Sequence, residues 1–415
     1  MKKLLIILGF LVAVGAIGFL MYYFFIGNPI IPTTTPEEQE TGKLPTIGEG
    51  GEPNVAKPGD QLPENENVPT TEINQKGSID LTAIAETANG GITKVSQLSV
   101  LEAKNVSLSS NGSLRYYSPE NQKFYRVSSD GVVTPLSGEL FYGVENITWA
   151  SNQDKAILEY PDGTNIFYDF TSKKQYTVPE NWHDFSFENQ GNQIVFMNDD
   201  VNPDNRWLAV SNPDSTEVNL INQLGENGDK VVSSWSPNGQ IIAFSQTGEP
   251  KGGWLQEIYA IGKNDENFPS LIVNGQGFEP KWSPDGKNLL YSVYNSDSNF
   301  NPTLWIASGQ GDNMGTSNVN LKINTWAKKC AFSSNETDLY CAVPSSLEKG
   351  SGMFPELADT VADTIYKINL KTGQKSIIAY PDNMATIDEL FISSNNNELY
   401  YKNIKTGLLE KIKIK

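Results

Sequence analysis

The chain has few of the residues that build metal centres and nucleic-acid interfaces. Among 415 residues it has one histidine, His183, and two cysteines, Cys330 and Cys341. A zinc site with two or three imidazoles and a cysteine-rich metal knuckle are therefore excluded. Lysine and arginine number 31 against 49 acidic residues, and the net charge is -18. Phosphate contacts need a local excess of Lys and Arg, so we predict that the protein does not bind nucleic acid.

Residues 1–26 are predicted to be a short cytoplasmic start and a transmembrane anchor. Positions 4–26 are uncharged and mostly apolar, and as a helix they would be about 34 Å long, enough to cross a bilayer core. Two lysines precede this run and the next charges after it are acidic. The positive-inside rule then predicts a single-pass protein of the cell membrane, with everything downstream extracytoplasmic. The alternative is a cleaved signal peptide with a cleavage site at 13–15.

Residues 27–77 are predicted to be a disordered linker. They contain eight prolines among Glu, Thr, Gly and Asn, with few large apolar side chains. Such a segment cannot bury enough apolar surface to fold, and its prolines favour an extended stalk. The next residues, 78–91, carry a short apolar patch of Ile79, Leu81 and Ile84. This patch either docks on the following domain or forms its ragged edge.

Residues 92–415 repeat a pattern of an apolar anchor, a tight turn and an alternating strand. The clearest copies are Trp-Ser-Pro-Asn-Gly at 235–239 and Trp-Ser-Pro-Asp-Gly at 282–286. Proline presets the turn, Asn or Asp bonds locally, and glycine supplies a positive φ, so each copy predicts a β-hairpin. Seven positions serve as anchors in this frame: Leu108, Trp149, Phe187, Trp235, Trp282, Phe332 and Ile392.

The spacing of the anchors predicts an all-β, seven-bladed β-propeller. Successive anchors lie 38 to 60 residues apart, and each interval has room for the four strands of one blade. Misreading the first or last copy would give six blades, which is the alternative. A propeller must join its last blade to its first. We therefore expect the alternating residues 92–98 to complete blade seven as its outermost strand.

The Trp-Ser-Pro-Asp-Gly-Lys run at 282–287 resembles the repeat hallmark of TolB-type, WD-like β-propellers. The same hallmark occurs in the propeller domains of prolyl-oligopeptidase-like and tricorn-type proteases, and the resemblance spans about residues 92–415. It implies that Trp235 and Trp282 are packing residues. The proteolytic relatives carry a separate hydrolase domain with a Gly-x-Ser-x-Gly elbow, which this sequence lacks. His183 lies beside Asp184, but a histidine on an inter-blade turn is commoner than half of a catalytic triad.

The two cysteines flank the predicted hairpin of blade six. If Asn335 and Glu336 form a two-residue turn, Cys330 lies across from Cys341 and Phe332 lies across from Leu339. Opposed strand positions permit a bridge at some sites, and an extracytoplasmic location favours oxidation. We therefore expect a disulfide, with a pair of buried free thiols as the alternative.

Two segments have the spacing of calcium-binding oxygen ligands. Asp200, Asn202 and Asp204 are the better candidate, and residues 297–301 are the other. Both segments lack the glycine and the glutamate that complete an EF-hand loop. A polar loop without metal is the alternative, and no other cofactor is expected.

The connections between the second and third strands lengthen in blades three to six. The longest, at 344–363, contains Met353, Phe354 and Leu357, which either tuck onto the propeller or form a partner-binding patch. The predicted function is a membrane-anchored, non-catalytic scaffold for a protein or cell-envelope polymer. The alternative is an enzyme for glycan or lactone hydrolysis that uses channel carboxylates such as Asp184 or Asp285. An envelope building block is a third reading.

Overall fold

The computed structural model describes residues 83–128, 131–264 and 266–415. The predicted anchor, the linker and the start of the 78–91 segment lie outside these residues. Within the described ranges, no helix is long and apolar enough to span a bilayer.

Seven sheets follow one another along the chain, one for each predicted anchor. Blades one and two comprise β3 (Lys104–Leu108), β4 (Leu114–Ser118), β5 (Lys123–Val127), β6 (Val133–Pro135), β7 (Asn146–Trp149), β8 (Lys155–Glu159), β9 (Asn165–Asp169) and β10 (Lys174–Val178). Blades three and four comprise β11 (Trp182–Phe187), β12 (Ile194–Asn198), β13 (Trp207–Ser211), β14 (Asn219–Gln223), β15 (Val231–Ser233), β16 (Ile241–Ser245), β17 (Leu255–Gly262) and β18 (Leu271–Asn274). The seven-bladed prediction is confirmed.

The remaining blades have the same antiparallel order. Blades five and six comprise β19 (Gln276–Trp282), β20 (Asn288–Tyr294), β21 (Thr303–Ser308), β22 (Val319–Asn320), β23 (Cys330–Phe332), β24 (Asp338–Pro344), β25 (Asp363–Asn369) and β26 (Lys375–Pro381). Blade seven comprises β27 (Ile387–Ile392), β28 (Glu398–Asn403) and β29 (Leu409–Lys413) with β2 (Val95–Gln97), and β1 (Ile92–Thr93) joins blade six. Short 3-10 helices among the described residues are Pro203–Asn205, Gly228–Lys230, Ser296–Ser298, Gly311–Asn313, Ala327–Lys329 and Pro355–Ala358.

The beginning of the described chain closes the ring. β2 pairs antiparallel with β29, which confirms that this stretch supplies the outermost strand of blade seven. The preceding β1 differs from the prediction, because it pairs in parallel with β26 of blade six. The chain steps between the blades at Lys94, and the Asp382 carboxylate accepts the Val95 N–H at 3.0 Å beside that step.

Residues 83–91 also bond to the last two blades. The Ala88 N–H donates to the Lys413 carbonyl at 2.9 Å, and the Gly90 N–H donates to the Ile378 carbonyl at 2.8 Å. The described part of the 78–91 segment is therefore docked on the propeller.

Hydrophobic packing between neighbouring blades forms the core. Each anchor ends or closely follows the first strand of its blade. Trp282, for example, stacks on Phe244 of blade four with ring centroids 5.5 Å apart, and its Nε1 donates to Ser234 Oγ at 3.0 Å. The tryptophan fills space between blades and bonds its polar edge there, as expected for a packing residue. Contacts between β3 and β7, β7 and β11, β11 and β15, and β23 and β27 place the first strands around the centre of the ring.

Candidate functional site

The two ends of the ring are built from different connections, because neighbouring strands of a blade run in opposite directions. We call one end the hairpin face; its inner turns, between the first and second strands, are 109–113, 150–154, 188–193, 234–240, 283–287, 333–337 and 393–397. We call the other end the loop face; it carries the connections between second and third strands and those between blades. Its members used below are 98–103, 136–145, 199–206, 246–254, 295–302, 345–362 and 382–386.

Polar groups on the hairpin face bond from one blade to the next. The Asn238 side chain donates to the Gly286 carbonyl at 2.9 Å, which joins blades four and five. Bonds of this kind join Ser110 to Ser151, Asn152 to Asn189, Asp285 to Glu336 and Ser334 to Asn396. Hydrogen bonds between these turns therefore connect neighbouring blades and stabilise the ring.

The loop face exposes apolar side chains that the inner hairpins do not. Exposed large apolar residues on its connections are Val100, Leu140, Tyr142, Val201, Met353, Phe354, Leu357 and Met384. The seven inner turns of the hairpin face, all within the described ranges, have none. The outer turns of the hairpin face expose only Val132 and Val218 among the described residues. Exposed apolar side chains are therefore more numerous on the loop face, as is typical of a contact surface.

The long insert at 345–362 lies against blade five. The Gly350 N–H donates to the Asn299 carbonyl at 2.9 Å, and the Gly352 N–H donates to the Phe300 carbonyl at 2.8 Å. Phe300 in turn meets Trp254 of blade four edge to face, with centroids 5.6 Å apart. We call Trp254, Phe300, Met353, Phe354 and Leu357 the apolar ridge.

The predicted partner-binding residues are the most exposed part of this ridge. Met353, Phe354 and Leu357 are 46%, 53% and 37% exposed. These side chains are therefore partly exposed on the loop face, while the backbone of the insert is bonded to blade five. Their role in binding a partner stays a prediction.

Charged side chains gather where the first strands of blades five, six and seven begin. Glu279 and Lys281 lie on β19, Lys328 precedes β23, and Asp388 and Glu389 lie on β27; we call these five residues the inner charge cluster. Lys328 Nζ lies 2.9 Å from Asp388 Oδ1, and Lys402 Nζ lies 3.4 Å from Asp388 Oδ2. Lys281 Nζ donates to the Lys328 carbonyl at 3.2 Å.

Some charged groups of the inner charge cluster are paired with opposite charges and others are not. Burial raises the pKa of Glu279 and of Glu389, and it lowers the pKa of Lys281. For Asp388, burial favours the neutral acid, but Lys328 and Lys402 outweigh it and hold the pKa below its usual value. Glu279 and Glu389 take part in none of the ion pairs among the described residues.

A cavity of about 340 Å³ opens between blades five and six on the loop face. Glu279 and Ser292 line it from blade five, Lys328 and Trp326 line it from the connection to blade six, and Gly352 lines it from the insert. We call it the blade 5–6 pocket. It brings a carboxylate of the inner charge cluster next to the apolar ridge.

A second cavity, of about 420 Å³, lies between the outer strands of blades three and four. The Glu266 carboxylate lines it but accepts the backbone N–H of Asn264 at 2.7 Å and its side-chain amide at 2.8 Å. No residue of the 345–362 insert lines this cavity, whereas Gly352 of the insert lines the blade 5–6 pocket, so we place the candidate site at the blade 5–6 pocket.

The structure keeps apart the carboxylates suggested for catalysis. Asp285 lies in the blade-five turn of the hairpin face, where it accepts hydrogen bonds from Ser283 Oγ at 2.9 Å and from the Lys287 N–H at 2.9 Å. Asp184 lies on β11 and accepts the Ser233 N–H of blade four at 2.6 Å. His183 Nε2 is 3.3 Å from the Asp199 carboxylate. None of these three residues lines the blade 5–6 pocket.

The proposed calcium ligands bond within their own loop. Asp200 Oδ1 accepts the Asn202 N–H at 2.8 Å, and Asn202 Oδ1 accepts the Asp204 N–H at 3.1 Å. The described parts of the chain contain no group of three or more His, Cys, Asp or Glu side chains placed to hold a metal ion. A calcium ion at Asp200, Asn202 and Asp204 stays a prediction.

The cysteines lie at the predicted register. Cys330 is paired with Cys341 and Phe332 with Leu339 across the hairpin, and a disulfide joins the two sulfurs. Both cysteines are fully buried in the packing of blades five and six. The bridge therefore belongs to the core and lies away from the exposed loop surface.

The inner charge cluster is not among the predicted sites, although the sequence carries a partial signal for it. The position three residues before each anchor is polar in six of the seven copies, namely Asn105, Asn146, Asp184, Glu279, Lys329 and Glu389. A polar residue recurring inside a short apolar strand indicates a position that faces other polar groups. Aligning the copies on their anchors therefore brings out Glu279 and Glu389, but not Lys281, Lys328 and Asp388.

No protein-family model matches the sequence, and no curated protein matches it. Solved structures with a similar fold include the Cps50 (Swd1) β-propeller domain of Myceliophteria thermophila, with 11% identity, a TM-score of 0.51, and coverage of 77% of this chain and 100% of that one. TolB from Acinetobacter baumannii shows 13% identity, a TM-score of 0.43, and coverage of 64% and 62%. An oligogalacturonate lyase in complex with manganese shows 12% identity, a TM-score of 0.48, and coverage of 77% and 93%. At 11% identity, the likeness to the Cps50 (Swd1) domain shows a β-propeller fold and nothing of activity.

Proposed function

We propose that this protein is a membrane-anchored, non-catalytic binding scaffold that holds its propeller outside the membrane and contacts a protein or cell-envelope polymer through the loop face. The observation that carries the proposal is the unequal distribution of exposed apolar side chains between the loop face and the inner hairpins. Burying such side chains in an interface is favourable, whereas their exposure to water does not stabilise the propeller. Residues 1–26 support the membrane placement through their apolar run and preceding lysines.

A site-specific photo-crosslinker tests the binding face in the full-length chain in its native membrane. It is placed at Phe354 of the ridge or, as a matched control, at Leu220 on the outer strand of blade three; these side chains are 53% and 55% exposed. We expect a discrete adduct from position 354 and none from 220. Adducts from 220 alone, or equal adducts from both positions, would refute the loop-face assignment.

Protease accessibility tests the placement separately. Protease added to intact cells should cut the linker at 27–77 and release the propeller, whereas the same protein in lysed cells serves as the positive control. Complete protection in intact cells would contradict an extracytoplasmic propeller.

A second candidate function is hydrolysis of a glycan or lactone at the inner charge cluster. Two carboxyl groups with raised pKa beside a lysine with lowered pKa form the kind of perturbed set that catalytic sites use. Glu389→Gln would abolish turnover of such a substrate if Glu389 were the acid or base. An absence of turnover by the unmodified protein across glycan and lactone panels would remove this candidate.

A further inference from the structure

The blade 5–6 pocket presents an acidic group that forms no close ion pair among the described residues. Glu279 is half-buried in the pocket wall and takes part in none of the ion pairs among the described residues. The charges of Lys328 and Lys281 favour the Glu279 carboxylate, but the Lys328 ammonium makes its close ion pair with Asp388, at 2.9 Å. A carboxylate in this setting gains from an incoming cation, because its interaction with a charge is less screened than in bulk water.

An aromatic ring forms another wall of the pocket. Tyr294 lines the cavity, and it is held between two glycines. A Cβ added at Gly277 would lie 2.3 Å from the Tyr294 ring, and one at Gly352 would lie 2.6 Å from Tyr294 Cβ. Backbone thus approaches the side chain closely at the ring edge, next to Gly277, and at Cβ, next to Gly352. An aromatic wall and a carboxylate are the two groups that recognise an ammonium or guanidinium side chain.

The surface around the pocket is both apolar and acidic. The connections that carry the apolar ridge, 246–254, 295–302 and 345–362, expose five acidic residues and two lysines: Glu249, Asp297, Glu348, Glu356, Asp359, Lys251 and Lys349. Lys251 is already paired with Glu257 at 3.1 Å. The surface therefore complements a ligand that is both basic and apolar.

We infer that the blade 5–6 pocket and the apolar ridge together bind a basic segment of a partner protein, with a Lys or Arg side chain of that segment at Glu279 and its apolar side chains on Met353 and Phe354. This inference rests on the proposed function and specifies the chemistry of the partner. Glu279 fixes the position of the segment, Tyr294 contacts the cationic side chain, and the exposed acids increase the rate of encounter.

Peptide binding to the full-length chain in zwitterionic nanodiscs tests this inference, with empty nanodiscs as the reference. The probe is a peptide of about 12 residues containing lysine and leucine, comparable in length to segments that dock in protein grooves. In the two comparison peptides, glutamate replaces lysine or serine replaces leucine. We expect the Lys/Leu peptide to bind at least about tenfold more tightly than either comparison peptide. Its affinity should fall as the salt concentration rises from about 50 mM to about 300 mM.

Two variants locate the binding. Glu279→Gln keeps the shape of the side chain and removes its charge, and it should lower the affinity for the Lys/Leu peptide about fivefold or more. Glu217→Gln removes one charge from an exposed turn outside the loop face and should change affinity less than about twofold. Tighter binding of the Glu/Leu peptide, or equal effects of the two substitutions, would overturn the inference. Retention of an anionic glycan in place of the peptide would also overturn it.

The crosslinking experiment separates this inference from the function on which it rests. If Phe354 captures a partner whose adduct is insensitive to Glu279→Gln, the loop face binds but the basic-segment inference is wrong. If position 354 captures nothing and position 220 does, the scaffold proposal itself fails.

Discussion

The hairpin face and the loop face use polar groups in opposite ways. On the hairpin face, turn residues such as Asn152, Asn238 and Asn396 bond to a neighbouring blade. On the loop face, the insert and its neighbouring loops expose acidic side chains together with apolar side chains such as Phe354, which is 53% exposed. Substitutions on the hairpin face should therefore affect folding, and substitutions on the ridge should affect binding.

The largest expected effect comes from Arg115, next to the blade-one hairpin. Its Nη1 donates to the Gln153 carbonyl at 2.6 Å and its Nη2 to the Ala150 carbonyl at 2.9 Å, both in the blade-two hairpin. The side chain is fully buried. Arg115→Ala leaves these carbonyls without their donor and opens a cavity, so we expect a loss of about 3–5 kcal/mol in the free energy of unfolding. Urea unfolding followed by tryptophan fluorescence measures it.

The matched change on the loop face is the double substitution Met353→Ser and Phe354→Ser. Because both side chains project outward, the free energy of unfolding should change by less than about 0.5 kcal/mol for each substitution. Similar losses for Arg115→Ala and the double variant would contradict the division between the two faces.

A smaller effect is expected from two equivalent hairpin glycines. Gly286 has a φ of +71°, and a Cβ there would lie 2.8 Å from the Asn238 backbone nitrogen. Gly239, its counterpart one blade earlier, has a φ of +77° with open space around a Cβ. Gly286→Ala combines backbone strain with a clash between blades and should cost about 2–3 kcal/mol, whereas Gly239→Ala should cost about 1 kcal/mol. Equal losses in urea unfolding would show that the contact between hairpins adds nothing.

The repeat signal predicted the fold because it is local and recurs. A Trp-Ser-Pro-Asp-Gly turn fixes a hairpin within a few residues, and recurrence of the anchors fixes the number of blades. The closing strand followed from the same logic, since the final repeat lacks a fourth strand after β29. The parallel pairing of β1 with β26 had no such signal, because it depends on where the chain steps between two assembled blades.

The site was harder to predict because its members are far apart in the sequence. The insert indicated a contact patch through Met353, Phe354 and Leu357, but nothing local showed that the backbone around Gly352 rests on Phe300. The inner charge cluster joins residues from three blades, and the polarity of Glu279 or Glu389 alone does not reveal this juxtaposition. Asp184 and Asp285 were candidates for catalysis in the sequence. In the structure Asp184 accepts a hydrogen bond from the first strand of blade four, and Asp285 accepts one within its own turn.

The smallest expected effect concerns Glu336, which links the hairpins of blades five and six. Its Oε1 accepts the Asp285 N–H at 2.8 Å. Burial and the hydrogen-bonded Asp285 raise the pKa of Glu336 to about 6, from an ordinary value of 4.5. Between these values the folded state binds more protons than the unfolded state, so this residue's contribution to stability declines as the pH rises through the window. The pKa of Asp285 is held below its usual range, so Asp285 does not titrate there.

Glu336→Gln retains an acceptor for the Asp285 N–H and removes the titration. Above about pH 6 the variant should be more stable than the unmodified protein, by less than about 1 kcal/mol because Glu336 is partly exposed. This advantage should shrink below about pH 4.5, where the carboxyl is protonated in both states. Urea unfolding at the two ends of this range measures the difference, with Glu217→Gln as the exposed control. A stability loss that does not depend on pH would contradict this prediction, because it would mean that the glutamine amide does not replace the Glu336 carboxyl in the link between the hairpins and that the titration of Glu336 has no effect on stability.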